Sequence, residues 1–115
     1  MRINPILRTD SYKMTHWNQY PPGSKYVYSY LESRGGQFTD TLWLGLHYIL
    51  KEYFEGYVIN YEDVRLADEF CKQHFANPKI FNRAGWEKLV DKHAGRLPLR
   101  IQALQIGRAS CRERV

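Results

Sequence analysis

Two stretches of the chain alternate with period two. Residues 25–32 (KYVYSYLE) put Tyr26, Tyr28 and Tyr30 on one face and Val27 and Leu31 on the other. Residues 97–104 (LPLRIQAL) set Leu99, Ile101 and Ala103 against Arg100 and Gln102. Both patterns predict strands. The remaining apolar residues recur at helical spacing. A short helix is expected over residues 9–20, with Thr9 or Asp10 as its cap and Pro21-Pro22-Gly23 as its stop. A second helix follows the break at Gly35-Gly36, with Asp40 as cap, a stripe of Leu42, Leu46, Ile49, Leu50 and Tyr53, and a stop at Gly56. YVI at residues 57–59 reads as a brief strand. Asn60 opens a third helix, with Asp63 three residues on and a buried face of Val64, Ala67, Phe70, Cys71, His74 and Phe75. Asn82 opens a fourth, with Trp86, Leu89, Val90 and His93 on one side and Gly95 at its end.

The predicted order is therefore α-β-α-α-α-β, an α+β chain with helices packed on a β-sheet. The two longer strands lie far apart in sequence, and two strands alone make a marginal sheet. The expected sheet is thus incomplete, and the expectation is a truncated chain. No internal repeat or low-complexity segment interrupts this order.

A length of 115 residues suits one small domain. No run approaches the roughly 20 apolar residues that span a bilayer, and the first residues lack the apolar stretch of a secretory signal. With two cysteines there is no disulfide framework, so a cytoplasmic setting is expected. Aromatic residues make up 15%, including nine tyrosines, which suits interfaces and ring-stacking pockets. The net charge of +5 raises a nucleic-acid partner. Setting aside the last eight residues, with Arg108, Arg112 and Arg114 against Glu113, leaves 14 basic against 11 acidic residues. The remaining cations are scattered rather than striped, so neither a nucleic-acid nor a membrane partner is expected. A small basic dimerisation or nucleic-acid-binding module is the alternative reading.

The chemistry-bearing residues form few patterns. His16, His47, His74 and His93 do not combine into a metal site; His74 follows Cys71 by three residues, which supplies two ligands of the four a structural zinc needs. A phosphate-binding loop, a nucleophile elbow and a dinucleotide fingerprint are all missing. What remains is TDSYKMTHWNQYPPG at residues 9–23. In its first turn Asp10 can cap free N–H groups and Tyr12 can pack. Alternatively, Tyr12 offers a ring face to a flat heteroaromatic ligand, with Lys13 or Arg8 meeting an anion.

The tail suggests a separate origin. Back-translation of residues 106–115 (IGRASCRERV) allows ATC GGA AGA GCG TCG TGT AGG GAA AGA GTG, a string that resembles a common sequencing adapter. The expectation is that native sequence ends near Leu104, that residues 1–104 are an incomplete N-terminal domain, and that residues 105–115 are adapter-derived.

Before that tail, an ordered set of motifs carries a resemblance: T-D-S-Y-K-M-T-H, the Y-P-P turn, S-K-Y-V-Y-S-Y-L-E-S-R, G-L-H-Y-I-L, F-N-x-x-G-W and L-P-L-R-I-Q-A-L. The chain resembles the N-terminus of the nicotinamide phosphoribosyltransferase family, in a bacterial-type form, over residues 4–104. The family pattern has proline where Gln105 stands. A proline codon cut after its first C and joined to adapter AG reads CAG, which is glutamine.

The resemblance implies a type II phosphoribosyltransferase fold for the intact parent. It implies transfer of phosphoribosyl from phosphoribosyl pyrophosphate to nicotinamide, giving nicotinamide mononucleotide in NAD salvage. It also implies magnesium and ATP as cofactors of the intact enzyme, a homodimer with sites at the subunit interface, and coupling through a phosphorylated histidine that has no counterpart in this chain. His16 is not that histidine. Two residues carry over. Tyr12 matches a tyrosine that stacks on nicotinamide across the dimer, and Asp10 matches an acid lining that pocket. No catalytic residue and no bound cofactor is expected in this fragment, and the chain alone is expected to be inactive.

Overall fold

The computed structural model describes residues 2–104 and the backbone of residues 109–111. The expected adapter-derived tail at 105–115, with Gln105, otherwise lies outside the described residues. A tight 3-10 turn at Pro5–Leu7 leads into a 3-10 helix at Ser11–Gln19. An extended arm follows. Then come β1 (Asp40–Leu42), α1 (Leu46–Ile49) running into a π-helical turn at Leu50–Phe54, α2 (Tyr61–His74), α3 (Arg83–His93) and β2 (Ala109–Cys111).

The core sits where α2 meets α3 and the Pro5–Leu7 turn. Ile6, Val58, Ile59, Val64, Ala67, Cys71 and Phe81 are buried together there, flanked by half-buried Trp86, Leu89 and Val90. Helix α2 starts as its sequence predicts. The Asn60 side chain accepts from the Asp63 N–H at 2.8 Å, while the Asp63 carboxylate accepts from the Asn60 N–H at 3.0 Å. This reciprocal box satisfies two N–H groups that a helix start leaves open. Asn82 caps α3 through the Gly85 N–H at 3.1 Å.

Asp63 is also buried and receives the N-terminus. The Arg2 guanidinium donates to both of its carboxylate oxygens, at 2.9 and 2.8 Å, and to the Val58 carbonyl at 2.6 Å. Asn4 donates to the Asp63 carbonyl at 2.7 Å, and its own side-chain oxygen accepts from the Ile6 N–H at 3.1 Å. The first turn of the chain is thereby locked onto the first turn of α2.

The far end of α3 closes on the 57–59 segment. Ala94 takes a left-handed conformation as its C-cap, and Gly95 continues at φ 80°. The Gly95 carbonyl accepts from the N–H groups of Val58 and Ile59 at 3.0 and 3.1 Å. A side chain at Gly95 would place its Cβ 1.8 Å from the Ile59 carbonyl oxygen, so both the positive φ and the close approach demand glycine.

Several expectations need correction. Neither 25–32 nor 97–104 forms a strand. Both lack regular structure, the Leu99 N–H closing a turn on the Leu97 carbonyl at 2.9 Å, and no ladder partner for them exists among the described residues. Tyr26, Tyr28 and Leu31 stand 92%, 89% and 84% exposed, so both faces of the first pattern meet solvent. The observed sheet instead pairs β1 with β2, antiparallel, with Asp40 opposite Cys111 and Leu42 opposite Ala109. The helices pack on one another rather than on a sheet, and the order α-β-α-α-α-β does not hold. The arm also explains the radius of gyration, 17.1 Å, against about 13 Å for a compact chain of this length.

Asp40 belongs to β1 and does not cap a helix. Gly45, left-handed at φ 84°, delays the start of α1 to Leu46. Beyond Ile49 the winding loosens, and the Glu55 N–H reaches the Leu50 carbonyl at 2.8 Å, five residues back. The YVI segment is not a strand, yet Val58 and Ile59 are core. On α2 the buried face is narrower than its pattern suggests. Phe70 is 49% exposed, and His74 is exposed beside it, its ring stacked on Phe70 at 5.5 Å. His93 is likewise exposed on α3.

Asp68 is the second buried acid, on α2. Burial pushes its carboxyl up, but hydrogen bonds and charge from Lys72 and Arg83, each at 2.8 Å, outweigh this and hold it below its ordinary range. A carboxylate with a lowered folded pKa stabilises the fold above its unfolded value, about 3.9, and that contribution fades as pH falls through the folded value. Denaturant unfolding at pH 7 and pH 3 is expected to show an acid-dependent loss of stability, part of which Asp68→Asn removes. Asp63→Ala is expected to cost about 1–3 kcal/mol, because it removes a cap and a buried acceptor. Arg2→Ala is expected to cost a similar amount, about 1–3 kcal/mol, because it leaves the Asp63 carboxylate, 7% exposed, without its cationic partner.

Candidate functional site

The segment from Arg8 to Gln19 holds the residues singled out for chemistry. It is positioned by the turn before it. Ile6 is buried in the core at 4% exposure, and Leu7 packs against the same cluster, so the chain leaves the body at Arg8 with a fixed direction. The Arg8 guanidinium lies 4.8 Å from the centre of the Tyr53 ring, on the π-helical turn. A cation over an aromatic face is attracted by the ring quadrupole. Arg8 is thereby engaged with Tyr53.

Asp10 stands at the N-cap position of the Ser11–Gln19 helix in extended conformation, φ −64° and ψ 139°. Its side chain does not cap. The Lys13 N–H instead donates to the Asp10 carbonyl at 3.0 Å, and the carboxylate faces the Lys13 ammonium at 3.8 Å. Both side chains are at least half exposed, so this pair contributes at most about 1 kcal/mol. The carboxylate remains open to a ligand donor.

The Tyr12 ring is 59% exposed. The packed alternative for Tyr12 does not hold. Its ring meets His16 at 5.5 Å between centroids, tilted by 59°. Its backbone carbonyl accepts from the Thr15 hydroxyl at 2.7 Å. The phenol therefore has one flank supported by an imidazole and one broad surface toward solvent. An aromatic side chain with only two rotatable bonds loses little entropy when a flat ligand stacks on it. Asp10 and Tyr12 both stand exposed at this helix start, while the Arg8 guanidinium lies over the Tyr53 ring.

The helix sits over a cleft of about 510 Å³, lined by Met14 and Trp17 on its side and by Phe81, Trp86 and Leu89 opposite. The Trp17 indole N–H crosses it to donate to the Ile80 carbonyl at 2.7 Å. Sequence reading did not single out this contact. The spacing of Met14 and Trp17, three residues apart, was its available signal.

Among the described residues, no group of three or more His, Cys, Asp or Glu side chains comes together to hold a metal ion. Cys71 is a buried free thiol, pushed up by burial and by the nearby Asp68 carboxylate, and so is poorly suited to act as a ligand or nucleophile. No helix is long and apolar enough to cross a membrane among the described residues.

Comparison with known proteins matches these residues to one family. The family model described as nicotinamide phosphoribosyltransferase, N-terminal domain, covers residues 4–101. The chain is 44% identical over 104 residues to a nicotinamide phosphoribosyltransferase of Xanthomonas campestris pv. campestris (strain 8004), an alignment of 90% of this chain and 21% of that protein. It is 28% identical over 120 aligned positions to a nicotinamide phosphoribosyltransferase of Acinetobacter baylyi, covering 92% of this chain and 23% of the relative. The chain thus spans about a fifth of the length of these curated relatives. The matched region contains Asp10, Tyr12 and Trp17 together with the whole of α1, α2 and α3. The chain belongs to the nicotinamide phosphoribosyltransferase family, of which it carries the N-terminal domain.

Proposed function

We propose that this chain is part of an enzyme that transfers phosphoribosyl from phosphoribosyl pyrophosphate to nicotinamide, giving nicotinamide mononucleotide and pyrophosphate. The match to the family's N-terminal domain over residues 4–101 carries the reading. In such a transfer the pyridine nitrogen attacks the anomeric carbon as pyrophosphate departs through an oxocarbenium-like state. Attack of this kind requires the ring to be held in line with the sugar, and a large part of the rate comes from that orientation.

The share of this chain in that task is binding. Tyr12 stacks its exposed face on the pyridine ring. Asp10, an acceptor-only carboxylate, lines the same pocket and suits the amide N–H of nicotinamide. Because the helix start is convex and open, the opposing walls must come from elsewhere. A homodimer in which Tyr12 reaches into the neighbouring subunit's site satisfies this. No step is assigned to magnesium or ATP in this chain. Catalytic groups for the departing pyrophosphate are likewise assigned outside this chain, and residues 105–115 are read as adapter-derived.

Two outcomes test the reading. The 115-residue chain is expected to form no nicotinamide mononucleotide, whereas the parent enzyme, with the reading frame continued beyond the Leu104 codon, is expected to form it. In that parent, Tyr12→Ala is expected to raise the nicotinamide KM about five- to a hundredfold, since stacking on an aromatic contributes roughly 1–3 kcal/mol. Tyr12→Phe keeps the ring and should stay near wild type. A parent without this turnover, or an unchanged KM in Tyr12→Ala, contradicts the proposal.

A further inference from the structure

We infer that Trp17 is a positioning residue for Tyr12: its indole N–H, bound to the Ile80 carbonyl, sets the rotation of the Ser11–Gln19 helix and thereby the direction in which the Tyr12 ring faces. The inference rests on the role of Tyr12 proposed above and adds a residue five positions away that touches no substrate.

The winding of this helix makes the coupling direct. On a 3-10 helix, residues three apart eclipse one another. Met14 and Trp17 therefore stand in one row, directed at the cleft against Trp86 and Leu89. Tyr12 and Thr15 form the neighbouring row, about a third of a turn away, and the Thr15 hydroxyl ties that row together through the Tyr12 carbonyl at 2.7 Å. Gln19 extends the tie, donating to the Thr15 hydroxyl at 3.2 Å. Rotation of either row rotates the other.

What holds the rotation is limited. The helix buries none of its residues. Met14 packs against the core, but an unbranched thioether side chain adapts to many orientations and specifies none sharply. The Asp10–Lys13 pair is local to the helix start. The indole is different: a rigid plane with a single donor whose direction is fixed by the ring. At 2.7 Å it engages a carbonyl in the loop just before α3. Next to that carbonyl, Phe81 is buried in the core at 6% exposure, so the acceptor is anchored. Trp17 itself is 41% exposed. Its placement thus follows from the hydrogen bond and the cleft edge together rather than from burial.

The experiment uses the parent enzyme with Trp17→Phe, which keeps an aromatic ring in the cleft and removes the donor. The expected result is a nicotinamide KM raised about three- to tenfold, with kcat at saturating nicotinamide and the KM for phosphoribosyl pyrophosphate unchanged. In a Tyr12→Ala background the same substitution is expected to add nothing, because no ring is left to direct. Equal effects in both backgrounds, or parallel changes in kcat and in both KM values, would show a general loss of fold and overturn the assignment. If Tyr12→Ala raises the nicotinamide KM and Trp17→Phe does not, positioning by Trp17 fails alone. If Tyr12→Ala leaves that KM unchanged, the reading of Tyr12 fails and the positioning role fails with it.

Discussion

The carboxylate of Asp63 is the node on which the arrangement of this domain depends. It closes the capping box of α2 and at the same time receives the Arg2 guanidinium in a two-pronged contact. A buried carboxylate is costly unless paired and hydrogen-bonded. Here two kinds of donor satisfy it, the Asn60 backbone N–H and the Arg2 guanidinium, while the Asn4 amide donates to the Asp63 backbone carbonyl beside it. The result joins residue 2 to residue 63 and sets the Pro5–Leu7 turn against α2. Everything downstream of that turn, including the exit at Arg8 and the helix that carries Asp10 and Tyr12, inherits its position.

From this node the site is a matter of presentation. The body of α2 and α3 supplies a rigid floor, closed at its far end by Gly95 against the 57–59 segment. The Ser11–Gln19 helix lies along one edge, its Met14 and Trp17 row inward and its Tyr12 row outward. A tightly wound helix keeps those rows in register, which a 3.6-residue turn would not. The exposed phenol is therefore not a residue left over from packing. It stands on the open side of the helix, as the Asp10 carboxylate does, and the role proposed for both is binding.

How much of this was legible in the sequence depended on range. Local chemistry was readable: the Asn60 and Asn82 caps, the stops at Gly56 and Gly95, and the Val64, Ala67, Cys71 face of α2 all follow from side chains acting within one or two turns. Strands were not, because an alternating pattern states which face a strand would bury but not whether a neighbour exists to pair with it. Residues 25–32 and 97–104 have the pattern and lack the partner among the described residues. Asp40 was misplaced for a related reason: a cap residue was visible, while the left-handed Gly45 that moves the helix start was read as part of the helix. The exposed ring of Tyr12 could be anticipated from its segment, whereas the assignment of Tyr12 and Asp10 to a nicotinamide pocket came through resemblance to a family; both side chains are exposed. The Arg2–Asp63 contact, spanning sixty-one positions, leaves no periodic trace, and of the Trp17–Ile80 contact, spanning sixty-three, only the Met14–Trp17 spacing is visible.

The central claim is that this N-terminal domain contributes a stacking ring to a nicotinamide pocket that other parts of the enzyme complete. A crystal structure of the parent enzyme with nicotinamide bound tests it most directly. The account predicts that the pyridine ring lies against the Tyr12 phenol, ring centroids within about 4.5–7 Å, with the Asp10 carboxylate on the same wall. Nicotinamide bound at a site that Tyr12 does not reach would contradict it.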